Sequence, residues 1–169
     1  MDLDAVVGAL APRLLAYACA RTGNRSLAED VAQDALTALV QSWRRHGPPD
    51  SPEAFTFAIA KRRAGRAVAR RALLAPLDRL LRRQSSAVPA DTAFEHREAL
   101  TALLLTMRRL SRGDREALLL SAAGELRIGE IAAVTGATPA AVKMRRHRAR
   151  QRLAALQLGD RHEHAPATD

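Results

Sequence analysis

The chain has few aromatic residues, almost no cysteine and no runs of β-branched residues. Phe, Trp and Tyr make up 3% of its 169 positions, so any core must be built from Leu, Val, Ile and Ala within an apolar fraction of 47%. The single cysteine, Cys19, excludes an internal disulfide and a multi-cysteine zinc site. It lies among apolar neighbours and reads as a small core side chain. No apolar run reaches the length of a membrane span, and the longest, around Ala117 to Ala123, is interrupted by Ser121. The opening MDLDAV is acidic where a secretory signal is basic. A soluble, intracellular protein is expected. Chemistry is absent too: there is no paired-carboxylate cleft, no nucleophile beside a base, no metal spacing and no phosphate loop. No catalytic residue, cofactor or metal is therefore expected, and His162 and His164 near the C-terminus lack further ligands.

What the chain has in excess is positive charge. Lys and Arg number 27 against 18 Asp and Glu, for a net +9. A pI near 11.3 points to a polyanionic partner, with nucleic acid the default. The excess is concentrated. Residues 61–83 carry nine basic groups against Asp78 alone, and residues 142–153 carry six with no acid. All other segments are neutral or slightly acidic. Two basic patches about 80 residues apart imply two contacts with nucleic acid, or one long site spanning two domains. The basic helices lack the Trp, Phe and Leu face that membrane-surface helices use, so no membrane partner is expected.

Apolar residues recur at helical spacing, and the chain reads as all-α. A first helix covers about 2–21, with Leu3, Val6, Leu10, Leu14 and Ala18 on one face and Pro12 as a potential break. Thr22-Gly23-Asn24 is a turn. Ser26 and Glu29 form a capping box for a second helix to about Arg45. It buries Leu27, Val31, Ala35, Leu39 and Trp43 and shows Asp30, Gln33, Asp34, Thr37 and Gln41 on its other face. Ser51 and Pro52 open a third helix to about Arg71. Phe57, Ala60, Ala64 and Val68 lie on one side of it. Arg62, Arg66 and Arg70 form a ladder on the other, where like charges repel by a few tenths of a kcal/mol per pair and an anion would relieve them. Pro76, Ser85-Ser86 and Pro89 mark a flexible linker. A fourth helix covers about 93–109 with Leu100, Leu103, Leu104 and Met107, and Ser111 and Asp114 open a fifth. The chain thus divides into an N-terminal three-to-four-helix bundle over 1–72, a linker over 73–92, a C-terminal helical domain over 93–158 and a disordered tail over 159–169.

The C-terminal domain holds the most informative tract, LRIGEIAAVTGATPAAVKMRRHRARQRL, from Leu126 to Leu153. Ile131 and Ala132 are small or apolar where two helices must touch. Gly136 sits at a sharp turn where positive φ is needed. Thr138 can cap the next helix, Pro139 suits its first turn, and Val142 anchors it inward. A short helix, a glycine turn and a basic second helix are the parts of a helix-turn-helix that enters the major groove.

Three stretches in this order resemble a bacterial extracytoplasmic-function sigma factor over about residues 5–157: LAEDVAQDALTALVQSWRR, SPEAFTFAIAKRRAGRAVARR, and LSRGDREALLLSAAGELRIGEIAAVTGATPAAVKMRRHRARQRL. The resemblance implies a region-two-like and a region-four-like domain, cytoplasmic and nucleoid-associated. It implies core RNA polymerase as partner, through the β′ clamp helices and the β flap, together with promoter DNA and, as often in the family, an anti-sigma protein. Asp30, Gln33, Asp34 and Thr37 match the polymerase-binding positions. Phe55, Phe57, Lys61, Arg62, Arg63, Arg66 and Arg70 would engage the minus-ten element. Thr138, Ala141, Lys143, Met144, Arg145, His147 and Arg148 would face the minus-thirty-five element, some touching only phosphate. The chain departs from the family at Phe55, where Trp is usual, and at Arg62 and Arg66, where Asn and Asp are favoured. These arginines should raise phosphate affinity and salt sensitivity. Arg127 stands in place of a Ser or Thr cap, Thr135 in place of an apolar residue, and Arg146 in place of a Leu in the Val142–Leu153 stripe. The function implied is promoter-directed transcription initiation. The alternative is a sigma-like DNA-binding regulator that does not melt promoters.

Overall fold

The computed structural model describes residues 2–81 and 106–163 of the chain. All the regular structure among them is helical: α1 (Leu3–Thr22), α2 (Arg25–His46), α3 (Pro52–Leu81), α4 (Arg112–Ala122), α5 (Ile128–Thr135) and α6 (Pro139–Glu163). Helix α1 starts at Asp2, whose carboxylate accepts from the Ala5 N–H at 3.1 Å, and ends at Gly23 in the left-handed region, φ 63°. It passes through Pro12 without a break. By length and composition α1 is long and apolar enough to cross a membrane, against the expectation of no spanning run. Its Leu10, Leu14, Tyr17 and Ala18 are instead buried against the other helices.

The expected cap of α2 is corrected. Asn24, two residues before Ser26, accepts from the Leu27 N–H at 2.9 Å, because the chain leaves the turn at Gly23 in extended geometry at Asn24. Ala28, Val31, Ala32, Ala35 and Leu39 form its buried stripe, with Leu27 and Trp43 only half-buried. Helix α3 opens as expected, Ser51 Oγ accepting from the Ala54 N–H at 3.1 Å. It continues to Leu81, past the expected end near Arg71 and into the expected linker. Residues 72–81 are mostly Ala, Leu and Arg, all strong helix formers, and Pro76 removes only one backbone donor. Helix α6 likewise runs into the expected tail, to Glu163. Most of the expected fourth helix, with Leu100, Leu103 and Leu104, the rest of the linker, and residues 164–169 lie outside the described residues.

Helices α1, α2 and α3 pack on one another as one module, and α4, α5 and α6 as a second. The two modules are not separate. Contacts of α3 with α5 and of α1 with α4 join them, and one continuous core runs from Leu10 through Phe57 and Leu120 to Val142 and Ala149. Two independent small cores were the natural expectation from the sequence. The small aromatic supply explains the merger in part, since Tyr17 and Phe57, the largest fully buried side chains, both serve the junction.

Candidate nucleic-acid interface

The junction is built by a handful of polar groups around one aromatic pair. Tyr17 and Phe57 meet edge to face, centroids 5.5 Å apart at 72°. Tyr17 Oη donates to Glu116 Oε1 of α4, and Arg21 Nε donates to Glu116 Oε2 at 3.1 Å. Glu116 is 7% exposed and Tyr17 is fully buried, so neither could be left unpaired cheaply. Burial and the adjacent Glu116 carboxylate push the Tyr17 phenol well above its ordinary range, so it stays a donor at all accessible pH. Arg13 lies over the Phe57 ring at 5.9 Å and donates to the Gly124 carbonyl from Nε at 3.0 Å and Nη2 at 2.7 Å. Lys61 Nζ donates to the Val134 carbonyl at the end of α5, at 3.0 Å. Gly124 allows the close approach: a Cβ there would stand 2.6 Å from the Leu120 carbonyl oxygen and 2.9 Å from Phe57 Cε1.

On α2 the residues Asp30, Gln33, Asp34 and Thr37 are all exposed, as the helical spacing requires. Of these, Gln33 and Thr37 line an apolar groove of about 570 Å³ between α1 and α2, with Leu15, Ala32, Leu36 and Val40 in its walls. Asp34 is bridged by Arg63 of α3 at 2.9 Å, which ties the α2 face to the basic ladder. On α3, Arg62, Arg66 and Arg70 are exposed on one side and Phe55 is half-buried. Phe57 is corrected: it has no exposed surface and belongs to the core, because it shares the inward side of α3 with Ala60 and Ala64. Lys61 is half-buried and already engaged by α5.

The helix-turn-helix forms as its residues dictate. Arg127 caps α5 only through its backbone, its N–H donating to Glu130 Oε2 at 2.6 Å. Ile131, Ala132 and Val142 are buried between the helices, and Gly136 takes φ 67° at the turn. Thr138 Oγ1 accepts from the Ala141 N–H at 3.2 Å, and Pro139 is the first residue of α6. Thr135 satisfies its hydroxyl on the Ile131 carbonyl at 2.7 Å. Arg146 is half-buried, and its Nε is buried with no hydrogen-bond partner among the described residues.

Thr138, Lys143, Met144, His147 and Arg148 are exposed and Ala141 and Arg145 half-exposed, so the expected reading face exists. Part of it is tethered. Arg148 Nη2 donates to Asp114 Oδ1 at 2.9 Å, and the Arg145 guanidinium lies against Gly113. Burial pushes the Asp114 carboxyl up, but hydrogen bonds from Arg148 and Ser111 and the charges of Arg148 and Arg145 outweigh it and hold it below the usual carboxylate range. Lys143 projects free of any ion pair among the described residues. No group of carboxylate, His and Cys side chains able to hold a metal occurs among the described residues.

Comparison with known proteins agrees with this layout. The family model for sigma-70 region 2 matches residues 6–73, and that for sigma-70 region 4 matches residues 100–153. The chain is 32% identical over 139 residues to the ECF RNA polymerase sigma factor ShbA of Streptomyces griseus, covering 78% of this chain and 72% of that protein. It is 28% identical over 152 residues to the RNA polymerase sigma factor CarQ of Myxococcus xanthus, covering 89% and 85%. Its fold is similar to that of CnrH in complex with the cytosolic domain of CnrY, with a TM-score of 0.71 at 23% identity over 94% of this chain and 88% of that one. It is also similar to RpoE in complex with the anti-sigma factor NepR from Bartonella quintana, with a TM-score of 0.59 at 22% identity over 92% and 93%.

Proposed function

This chain belongs to the extracytoplasmic-function sigma factors, which direct transcription by RNA polymerase, and on that premise we propose how its modules and residues divide the work. The first module docks on core polymerase and the second reads DNA upstream. Sigma factors are generally not enzymes, and we assign this one no chemistry of its own. The cytoplasm, where polymerase acts, is its place of work.

The observation that carries the reading is the exposed face of α2. Gln33 and Thr37 line an apolar groove and Asp30 and Asp34 are exposed on the same helix, a combination suited to a protein partner with basic and apolar groups. We assign that face to the β′ clamp helices. An anti-sigma factor, the kind of partner NepR is for RpoE, would compete for the same groove. The α3 ladder of Arg62, Arg66 and Arg70, with Arg63 and Phe55, faces the minus-ten element. The α6 residues Thr138, Lys143, Met144 and His147 face the minus-thirty-five element, with Arg145 and Arg148 on the phosphates beside them.

The closed seam cannot persist on a promoter. The two elements lie about 25 base pairs apart, or roughly 85 Å at about 3.4 Å per pair. A compact chain of this length has a radius of gyration of only about 15 Å. Engagement of both elements therefore requires Tyr17–Glu116, Arg13–Gly124 and Lys61–Val134 to part, which also frees Lys61 for DNA.

The test is a charge reversal on α2. Asp30→Arg with Asp34→Arg should abolish binding to core polymerase in a pull-down or fluorescence titration and spare duplex binding by the second module. Retained polymerase affinity would overturn the assignment. Run-off transcription with core polymerase then separates initiation from mere DNA binding, since a sigma-like regulator gives no specific transcript.

A further inference from the structure

At the seam, α1 and α4 enclose a concavity of about 210 Å³. Arg21 lines it from α1, Arg115 and Leu119 from α4, Met107 and Arg108 from the segment before α4, and Val68 from α3. Three guanidiniums thus line one hollow where, among the described residues, the only carboxylate acting on Arg115 is Glu116, and Glu116 is already committed to Arg21 and Tyr17. Neither Arg108 nor Arg115 forms an ion pair among the described residues. Taking a guanidinium partly out of water without a counter-charge is costly. Burial and the charge of Arg21, with further contributions from Arg108 and Arg112, hold Arg115 below the ordinary guanidinium range. Among the described residues, the hollow has the charge of an anion site and only the already committed Glu116 to answer it.

We infer that this concavity binds a phosphate-bearing small anion across the seam, with Arg21, Arg108 and Arg115 as its ligands. Guanidinium forks match phosphate oxygens two at a time, and a dianion balances the two arginines that Glu116 leaves uncompensated. The volume is below the roughly 300–1,000 Å³ of pockets that enclose drug-sized ligands. The phosphate group itself is therefore the ligand, and any nucleoside attached to it lies outside. Because Arg21 belongs to the first module and Arg108 and Arg115 to the second, the anion binds the closed form and is released when the modules separate.

The probe is inorganic phosphate, titrated into the full chain against sodium chloride at matched ionic strength. With a millimolar Kd, 10 mM phosphate should raise the melting temperature by roughly 3–5 °C over the chloride control. Arg115→Ala should remove the difference. Arg108→Ala, at an exposed position where folding is not at stake, should weaken phosphate binding at least about fivefold. Lys143→Ala, on the DNA-reading face, should leave it unchanged. Adenosine triphosphate binding about tenfold more tightly than phosphate would mark a nucleotide as the source, and equal affinity would mark free phosphate. No stabilisation beyond chloride, or an equal loss in Lys143→Ala, would overturn the site. The readout uses neither polymerase nor promoter, so it can fail while the promoter reading holds, and the reverse.

Discussion

Tyr17→Phe isolates the seam with the smallest perturbation available. It keeps the ring that meets Phe57 edge to face and deletes one hydroxyl, which donates to the buried Glu116 carboxylate across the module boundary. A hydrogen bond to a charged group contributes about 1.5–3 kcal/mol. Glu116 retains Arg21 at 3.1 Å, so no charge is orphaned and the lower half of that range is expected. Every 1.4 kcal/mol is tenfold, so the closed form should lose roughly tenfold in weight against the open one. The melting temperature should fall by roughly 3–6 °C. Yet function should move the opposite way. When the competent state is a minor one, apparent affinity is scaled by its population, and enriching it tightens binding by the same factor. In a titration of the chain with core polymerase on a fixed promoter fragment, half-saturation should occur at roughly tenfold lower concentration than for the wild type. Unchanged or weaker promoter affinity alongside reduced stability would refute the argument that the seam opposes engagement.

Three further outcomes bear on the same structure. Gly124→Ala should destabilise the chain by about 1–3 kcal/mol, because its Cβ would meet the Leu120 carbonyl at 2.6 Å and the Phe57 ring at 2.9 Å; an unchanged melting temperature would contradict the close approach. Asp114 has a folded-state pKa below its unfolded value, so its stabilisation is present above about pH 4 and lost as pH falls through the lowered folded value. Asp114→Asn should therefore melt lower than wild type at neutral pH, and the two curves should converge in acid; parallel curves would sink that reading. Lys143→Ala should weaken promoter binding: a loss of about 1–3 kcal/mol confined to particular bases marks a base contact, whereas a uniform loss with a shallower salt slope marks phosphate.

The local structure was largely legible from residue type and spacing, because the rules that govern it act over a few positions. Ser51 with Pro52, Gly136, Thr138 with Pro139, and the outward face of α2 all fall where the sequence puts them. Phe57 obeys the same rules. Its spacing with Ala60 and Ala64 already places it inward, and only the family resemblance moved it toward DNA. Helix ends were less legible. Pro76 and Gly159 read as breaks, but one weak position does not end a helix whose neighbours favour it.

The seam was not legible, for a physical reason that also explains the hidden arginine cluster. Tyr17 and Glu116 are 99 positions apart, and Arg13 and Gly124 are 111 apart, so no period or motif links them. A buried Glu on an apolar face of α4 was the available signal: Glu116 sits beside Ala117, Leu118 and Leu119, where an unpaired carboxylate would be expensive and a partner from elsewhere is implied. Charge summed over long segments conceals the rest. Residues 84–141 come to −1, although Arg108, Arg109, Arg112 and Arg115 crowd into eight positions of it. Four arginines at that spacing repel one another unless something answers them. One answer is Glu116 reaching α1, and it satisfies Arg21 before it can satisfy Arg115. The contact that closes the two modules is thus the same one that leaves the neighbouring hollow short of negative charge, so the closed state and the capacity to hold an anion have a single origin.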